Sequence, residues 1–187
     1  MDFKEFPDFI KLLTYYEMLR KNVPANSVPQ KQDLNPKDII SLLPMLSLTE
    51  RVASGKVIVR LTGTALDTHF LANITGDNIV DYYRNHDKRL ITAFHDKISA
   101  GPYGGFSHVR VRFDDNSLID CRSIYLPLCA TDGDPRFHLN VNHIESIQYG
   151  TEEIADEDLQ KANVKIKHVC LFNLFDGPEY SVVKKLL

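Results

Sequence analysis

The chain has 187 residues, enough to bury an apolar core without metal or disulfide staples and about the size of one domain with a terminal extension. Its 22 lysines and arginines against 25 aspartates and glutamates give a formal charge of -3, so no cationic excess marks it for a nucleic-acid backbone. The opening Met1-Asp2-Phe3-Lys4 has no basic leader, and nowhere does the chain offer the ~18 apolar residues of a membrane span, so a soluble, cytoplasmic protein is expected.

From the N-terminus, Pro7 to Asn22 predicts a helix, with Phe9, Leu12, Leu13, Tyr16 and Leu19 at helical spacing and Ile10 and Met18 widening the apolar band. A loop rich in proline and asparagine follows. Asn35-Pro36 then restarts a short helix over Lys37 to Leu43, because proline suits a first helical turn. From Met45 the period changes to that of strands: Leu46 and Leu48, a Ser54-Gly55 turn, then Val57, Val59 and Leu61, which together read as a hairpin. Gly63 ends the second strand and Thr64 is placed to cap a short helix carrying Leu66 and Phe70. A further small helical piece is expected around Ile79, Val80 and Tyr83.

The clearest helix of the middle region is HDKRLITAFHDKISAG, whose Leu90, Ile91, Phe94 and Ile98 form a stripe stopped by Gly101-Pro102. Three antiparallel strands are expected after it. Val109, Val111 and Phe113 alternate with His108, Arg110 and Arg112; a turn at Asp114-Asp115-Asn116-Ser117 leads to Leu118 through Leu128; and Thr131 to Pro135 leads to Phe137, Leu139, Val141 and His143. Beyond Gly150 a solvated acidic helix is expected, then a strand from Val164 that becomes apolar on both faces near Phe172 and so requires cover from this chain or a second copy.

No arrangement in the sequence marks a reaction centre. RLTGTAL has one glycine and no following lysine, so Gly63 is a hand-over from strand to helix rather than a phosphate cradle. The Asp pairs occupy turns that favour them. His86 and His95 are nine residues apart, which at ~100° per residue sets them on opposite helix faces. His138 and His143 differ by an odd number and point to opposite sides of a strand, so no metal site is expected. Cys121, Cys129 and Cys170 are odd in number, form no CxxC, and are expected to be free thiols in a reducing compartment.

Two strands, a run of helices, then three strands is the order of a PAS domain. On DLNPKDIISLLPMLSL (Asp33 to Leu48), VRLTGTAL (Val59 to Leu66), ITGDNI (Ile74 to Ile79) and SIYLPL (Ser123 to Leu128), the chain resembles a bacterial stand-alone PAS-type family with an added opening helix. It departs from that pattern in having no Trp and in carrying Gln30 and Lys31 where an arginine is expected. The resemblance implies an α+β fold: a five-stranded antiparallel sheet with helices packed on one face, an N-terminal helix and loop over 1–32, the PAS-like domain over 33–149, and an extension over 150–187 that packs on the domain or on a partner. It also implies a ligand cavity between the sheet and the middle helix, with Leu61, Ile74, Ile91, Phe94, His95, Val109, Leu126, Leu139, Val141 and His143 as lining residues. His95 and His143 are its polar groups, and some family members hold haem through a histidine on the same helix, which makes His95 a haem candidate. The function implied is a non-catalytic sensory module that binds a small apolar molecule or a protein partner and signals through a homodimer or partner contacts. A small enzyme using His95 or His143 as general base and a ligand-free scaffold are the alternatives.

Overall fold

The computed structural model describes residues 5–25, 27–70, 72–113, 117–147, 164–176 and 180–186. The Asp114-to-Asn116 part of the expected turn and the expected acidic helix after Gly150 lie outside the described residues. Helix α1 (Pro7–Arg20) leads, followed by single 3-10 turns at Lys31–Asp33, Pro36–Ile39 and Leu43–Met45. The short helix expected over Lys37 to Leu43 is thus two tight turns, because Pro44 has no N–H to continue an α-helical ladder. Strands β1 (Leu46–Ala53) and β2 (Lys56–Thr62) form the expected hairpin, with Gly55 supplying the left-handed backbone of its turn at φ 73°. Next come α2 (Thr64–Phe70), a 3-10 turn at Ile79–Tyr82 and α3 (Asn85–Ala100). The remaining elements are β3 (Tyr103–Arg112), β4 (Leu118–Leu128), β5 (Phe137–Ile147), β6 (Val164–Asn173) and β7 (Val182–Lys185).

All of these strands join one antiparallel sheet in the order β2-β1-β5-β4-β3-β6-β7. The α+β class and the expected pairing of the first five strands are present, and the sheet is wider than expected. The C-terminal segment adds two strands, β6 pairing with β3 from Tyr103↔Asn173 to Val111↔Val164, and β7 continuing beyond it. Phe172, whose two-sided apolar neighbourhood demanded cover, is fully buried and packs edge-on against Tyr180 at 5.8 Å, so its cover comes from this chain.

The central strands of the sheet are buried on both faces, and this decides where the candidate site falls. On one face, α3 lays Ile91, Phe94 and Ile98 over β3, β4 and β6, meeting Val109, Cys121, Ile166 and Leu171. Gly105 permits that contact: a Cβ there would stand 2.4 Å from the Phe94 ring and 2.5 Å from Ile98 Cδ1. On the opposite face α1 lays Phe9, Leu12, Leu13 and Tyr16 over Ile124, Leu126, Leu139 and Val141. The buried Tyr16 hydroxyl donates to the Pro127 carbonyl at 2.7 Å, anchoring α1 to β4. Helices therefore pack on both faces, α2 and α3 on one as expected and the added N-terminal helix α1 on the other.

Candidate functional site

Between the sheet and the segment running from α2 to the 3-10 turn at Ile79–Tyr82 lies a cavity of about 570 Å³; no residue of α3 lines it, whereas the sequence places the cavity under that middle helix. Its roof and walls are largely apolar: Leu66 and Phe70 from α2, Ile74 and Ile79 from the connecting segment, and Tyr82 and Tyr83 at the end of the 3-10 turn. Val59, Val109, Val111 and Val164 contribute β-branched side chains from three strands. The roof is held close to the sheet edge by Asn78, which accepts from the Val57 N–H at 2.8 Å and donates to the Gly55 carbonyl at 3.1 Å. Gly63 sets the start of α2. Its N–H donates to the Leu46 carbonyl at 2.8 Å, and its hydrogen atom in place of a side chain lets the strand-to-helix turn lie against the carbonyls of Leu43 and Pro44.

The floor is polar. Ser47 and Thr49 on β1, Asn140 and Asn142 on β5, and Ser123 and Tyr125 on β4 all line the cavity. Antiparallel register sets them side by side: Ser47 opposite Asn140, Asn140 opposite Tyr125, and Asn142 opposite Ser123. The Asn142 amide donates to the Met45 carbonyl at 3.0 Å and to Ser47 Oγ at 3.4 Å, and its oxygen accepts from Ser123 Oγ at 2.6 Å. The Asn140 amide donates to Ser47 Oγ at 3.2 Å and Thr49 Oγ1 at 3.5 Å, while its buried carbonyl oxygen has no hydrogen-bond partner. Burial pushes the Cys121 thiol up to about 11 and the Tyr125 hydroxyl up to about 12, so both are neutral at physiological pH.

The residues expected to line the cavity are divided among several environments. Ile74 and Val109 line it. Ile91 and Phe94 are buried in the packing of α3 on the sheet. Leu126, Leu139 and Val141 are buried on the far face, beneath α1. Leu61 is 47 % exposed on the edge strand β2. His143 is on the α1 side, its ring 4.9 Å from that of Phe6 and its Nε2 3.2 Å from Glu145.

His95 is fully buried beside the cavity without lining it. Its ring stacks on His138, with centroids 5.1 Å apart, and meets the edge of Tyr125 at 5.4 Å. The two Nδ1 atoms are 3.1 Å apart, one ring's N–H donating to the other, and His138 Nε2 is bonded to Ser99 Oγ at 2.9 Å. Burial drives the His95 pKa down to about 3 and that of His138 well below the usual imidazole range, so the pair is neutral. A haem iron would need a histidine nitrogen facing open cavity. The stacked, enclosed His95 ring does not fit that group.

The polar floor is hidden in the sequence because the apolar alternation of β5 serves the other face. In FHLNVNHI the apolar set Phe137, Leu139 and Val141 faces α1, and the interleaved His138, Asn140 and Asn142 face α3 and the cavity. The signal is the run of polar side chains at every second position of a strand with apolar neighbours, which marks a strand between two interiors.

Three comparisons bear on relatedness. No curated protein matches the chain significantly. Among solved structures, a single-site variant of Drosophila melanogaster Cycle PAS-B with bound glycerol is similar at 16 % identity and a TM-score of 0.44, covering 54 % of this chain and 98 % of its own. A single-site variant of RsLOV is similar at 12 % identity and a TM-score of 0.42, covering 65 % and 70 % respectively. A fungal LOV domain photoreceptor gives 12 % identity and a TM-score of 0.44, covering 76 % and 97 %. The model of the PAS domain family matches residues 5–141, from the start of α1 into β5, and by that match the chain belongs to the PAS domain family.

Proposed function

We propose that the chain is a non-catalytic sensory module that takes a small, largely apolar molecule into the cavity between the sheet and the segment from α2 to the Ile79–Tyr82 turn and signals through contacts with a second copy or another protein. The observation that carries this reading is the cavity: about 570 Å³, with apolar walls and a few convergent polar groups on its floor. Membership in the PAS domain family favours a sensing or signalling role in general. An enzyme is disfavoured by the chemistry at hand. Cys121 and Tyr125 are held protonated, and none of the described residues that line the cavity is a histidine or a carboxylate.

For the outgoing contact, the half-exposed Met18 and the exposed Ile10 on α1 are the apolar groups left over once the helix has packed on its own sheet. None of the helices described is long and apolar enough to cross a membrane, and the three cysteines are free, which supports a reducing, cytoplasmic setting. Native mass spectrometry of gently purified protein tests the reading. A co-purified mass that disappears on denaturation supports it. Bare protein that also takes up no neutral small molecule refutes it in favour of a ligand-free scaffold.

A further inference from the structure

Tyr83, on the roof of the cavity, carries a hydroxyl with no partner among the described residues. Every other hydroxyl of the described residues that line the cavity is engaged: Tyr82 donates to Asp77, Thr62 to Asp67 and Ser123 to Asn142, Tyr125 is bonded to Ser107, and Ser47 and Thr49 accept from Asn140. Tyr83 is only 7 % exposed, yet its oxygen is not sealed in. Among the described residues, the enclosed polar atoms that lack a partner are Arg20 Nε, His95 Nε2, His108 Nε2 and Asn140 Oδ1. The Tyr83 oxygen is not one of them, so it keeps surface against open space. That space is the cavity, because Tyr83 lines it and its hydroxyl senses the Cys121 thiol and the Tyr125 hydroxyl, which line it too.

The hydroxyl is held in place and keeps its proton. Tyr83 closes the Ile79–Tyr82 turn, its N–H donating to the Val80 carbonyl at 3.4 Å, and it is buried in one cluster with Val80, Ile91 and Val109. Burial keeps its pKa well above the usual phenol range, so it serves as a donor. An apolar body pressed against it would take the hydroxyl out of water and leave a buried donor unpaired, a cost that a ligand acceptor at that point removes. A carbonyl oxygen is the fitting neutral acceptor, since it brings no proton that would need a further partner. A carboxylate would have no counter-ion there. Among the described residues lining the cavity only Arg112 is charged, and it follows Val111, whose side chain packs on the α3 side, so its own side chain departs toward the reverse face.

Resting on the small-molecule reading above, we propose that Tyr83 is the specificity-determining residue of this cavity and that the ligand is an uncharged molecule with an apolar body and a carbonyl oxygen that accepts the Tyr83 O–H. Because Phe70, Tyr82 and Phe113 give the cavity aromatic walls, the test uses probes that share a naphthalene ring. They are 2-acetylnaphthalene; 2-isopropenylnaphthalene, in which a CH2 replaces the carbonyl oxygen; and the anion 2-naphthoate. Affinities for the full chain and for Tyr83→Phe are measured by isothermal titration, and the carbonyl stretch of bound, isotope-labelled 2-acetylnaphthalene by infrared spectroscopy.

The expected result is that Tyr83→Phe weakens 2-acetylnaphthalene roughly fivefold to tenfold and leaves 2-isopropenylnaphthalene unchanged, with 2-naphthoate the weakest of the three. The carbonyl band should lie below its position in hydrocarbon solvent in the wild-type chain and return toward it in the variant. A hydrocarbon-like band in the wild-type chain overturns the inference without any need of the variant. Equal effects of Tyr83→Phe on ketone and alkene overturn it while leaving the cavity a small-molecule site. Tightest binding of 2-naphthoate overturns it in favour of an anionic ligand. Failure of all three probes to bind overturns it as well, and the small-molecule reading falls with it where the protein is also bare in native mass spectrometry.

Discussion

Gly63→Ala separates two expectations that differ in sign. The backbone at Gly63 lies outside the left-handed region, so local propensity alone predicts a gain of about 0.4–1 kcal/mol from the smaller entropy of the unfolded chain. The folded structure predicts the opposite. A Cβ at this position would lie 2.1 Å from the Leu43 oxygen and 2.3 Å from the Pro44 oxygen, and reaching even ~3.0 Å requires the two backbone segments to separate by about 0.9 Å. Both neighbours are main-chain atoms, so no side-chain rotation relieves the contact. The shift also strains the Gly63 N–H bond to the Leu46 carbonyl, now 2.8 Å. Overpacking of this kind costs about 1–3 kcal/mol and the weakened hydrogen bond about 1 more, roughly 2–4 in total. At ~2–4 °C per kcal/mol for a domain of this size, the Tm should fall by roughly 5–15 °C in thermal unfolding followed by far-UV circular dichroism. A Tm equal to or above that of wild type would refute the reasoning.

Removing the Tyr16 hydroxyl with Tyr16→Phe leaves the buried Pro127 carbonyl without its donor and should cost about 1–2 kcal/mol, read as a lowered urea midpoint with unchanged slope. The neutral His95–His138 pair predicts acid sensitivity: burial, which Asp96 offsets only in part at His95, keeps both folded pKa values below the unfolded one of ~6.5. Their contribution is complete above that value and is lost as pH falls below it, by up to about 1.4 kcal/mol per pH unit for each histidine, so His138→Leu should flatten the decline of Tm between about pH 6 and 4. An unchanged slope in that variant would show that the pair does not carry the effect. Asp120 behaves in the same direction at lower pH. Burial would raise its pKa, but the bidentate bonds from Arg110 at 2.8 and 2.9 Å hold it below the usual carboxylate range, so Asp120→Asn should cost about 1 kcal/mol at neutral pH and nothing once the wild-type carboxyl is protonated, as urea midpoints at the two pH values would show.

Much of the fold could be read before any coordinates, because the elements with strong period also end in strong stops. The stripe Leu90, Ile91, Phe94 and Ile98 closed by Gly101-Pro102 corresponds to α3, and the Ser54-Gly55 turn corresponds to the β1–β2 hairpin. The face of β5 could not be read the same way. Alternation says that residues 137, 139 and 141 share a side but not which side, and that choice depends on α1 and α3, which are distant in the chain. Because α1 supplies an apolar partner on the reverse face, Leu139 and Val141 turn to it, and the polar residues between them are left to face the cavity. The histidine pairing was hidden for the same reason: His95 and His138 are 43 residues apart and meet only when α3 lies across the sheet.

From Phe137 to Asn142, β5 has no solvent side. Asn140 is covalently flanked by Leu139 and Val141, which carry the weight of α1 through their contacts on the reverse face. The side chains that hold α1 and the side chain that floors the cavity therefore belong to adjacent residues of one strand. A substitution that displaces Leu139 or Val141 beneath α1 is expected to disturb the cavity floor as well.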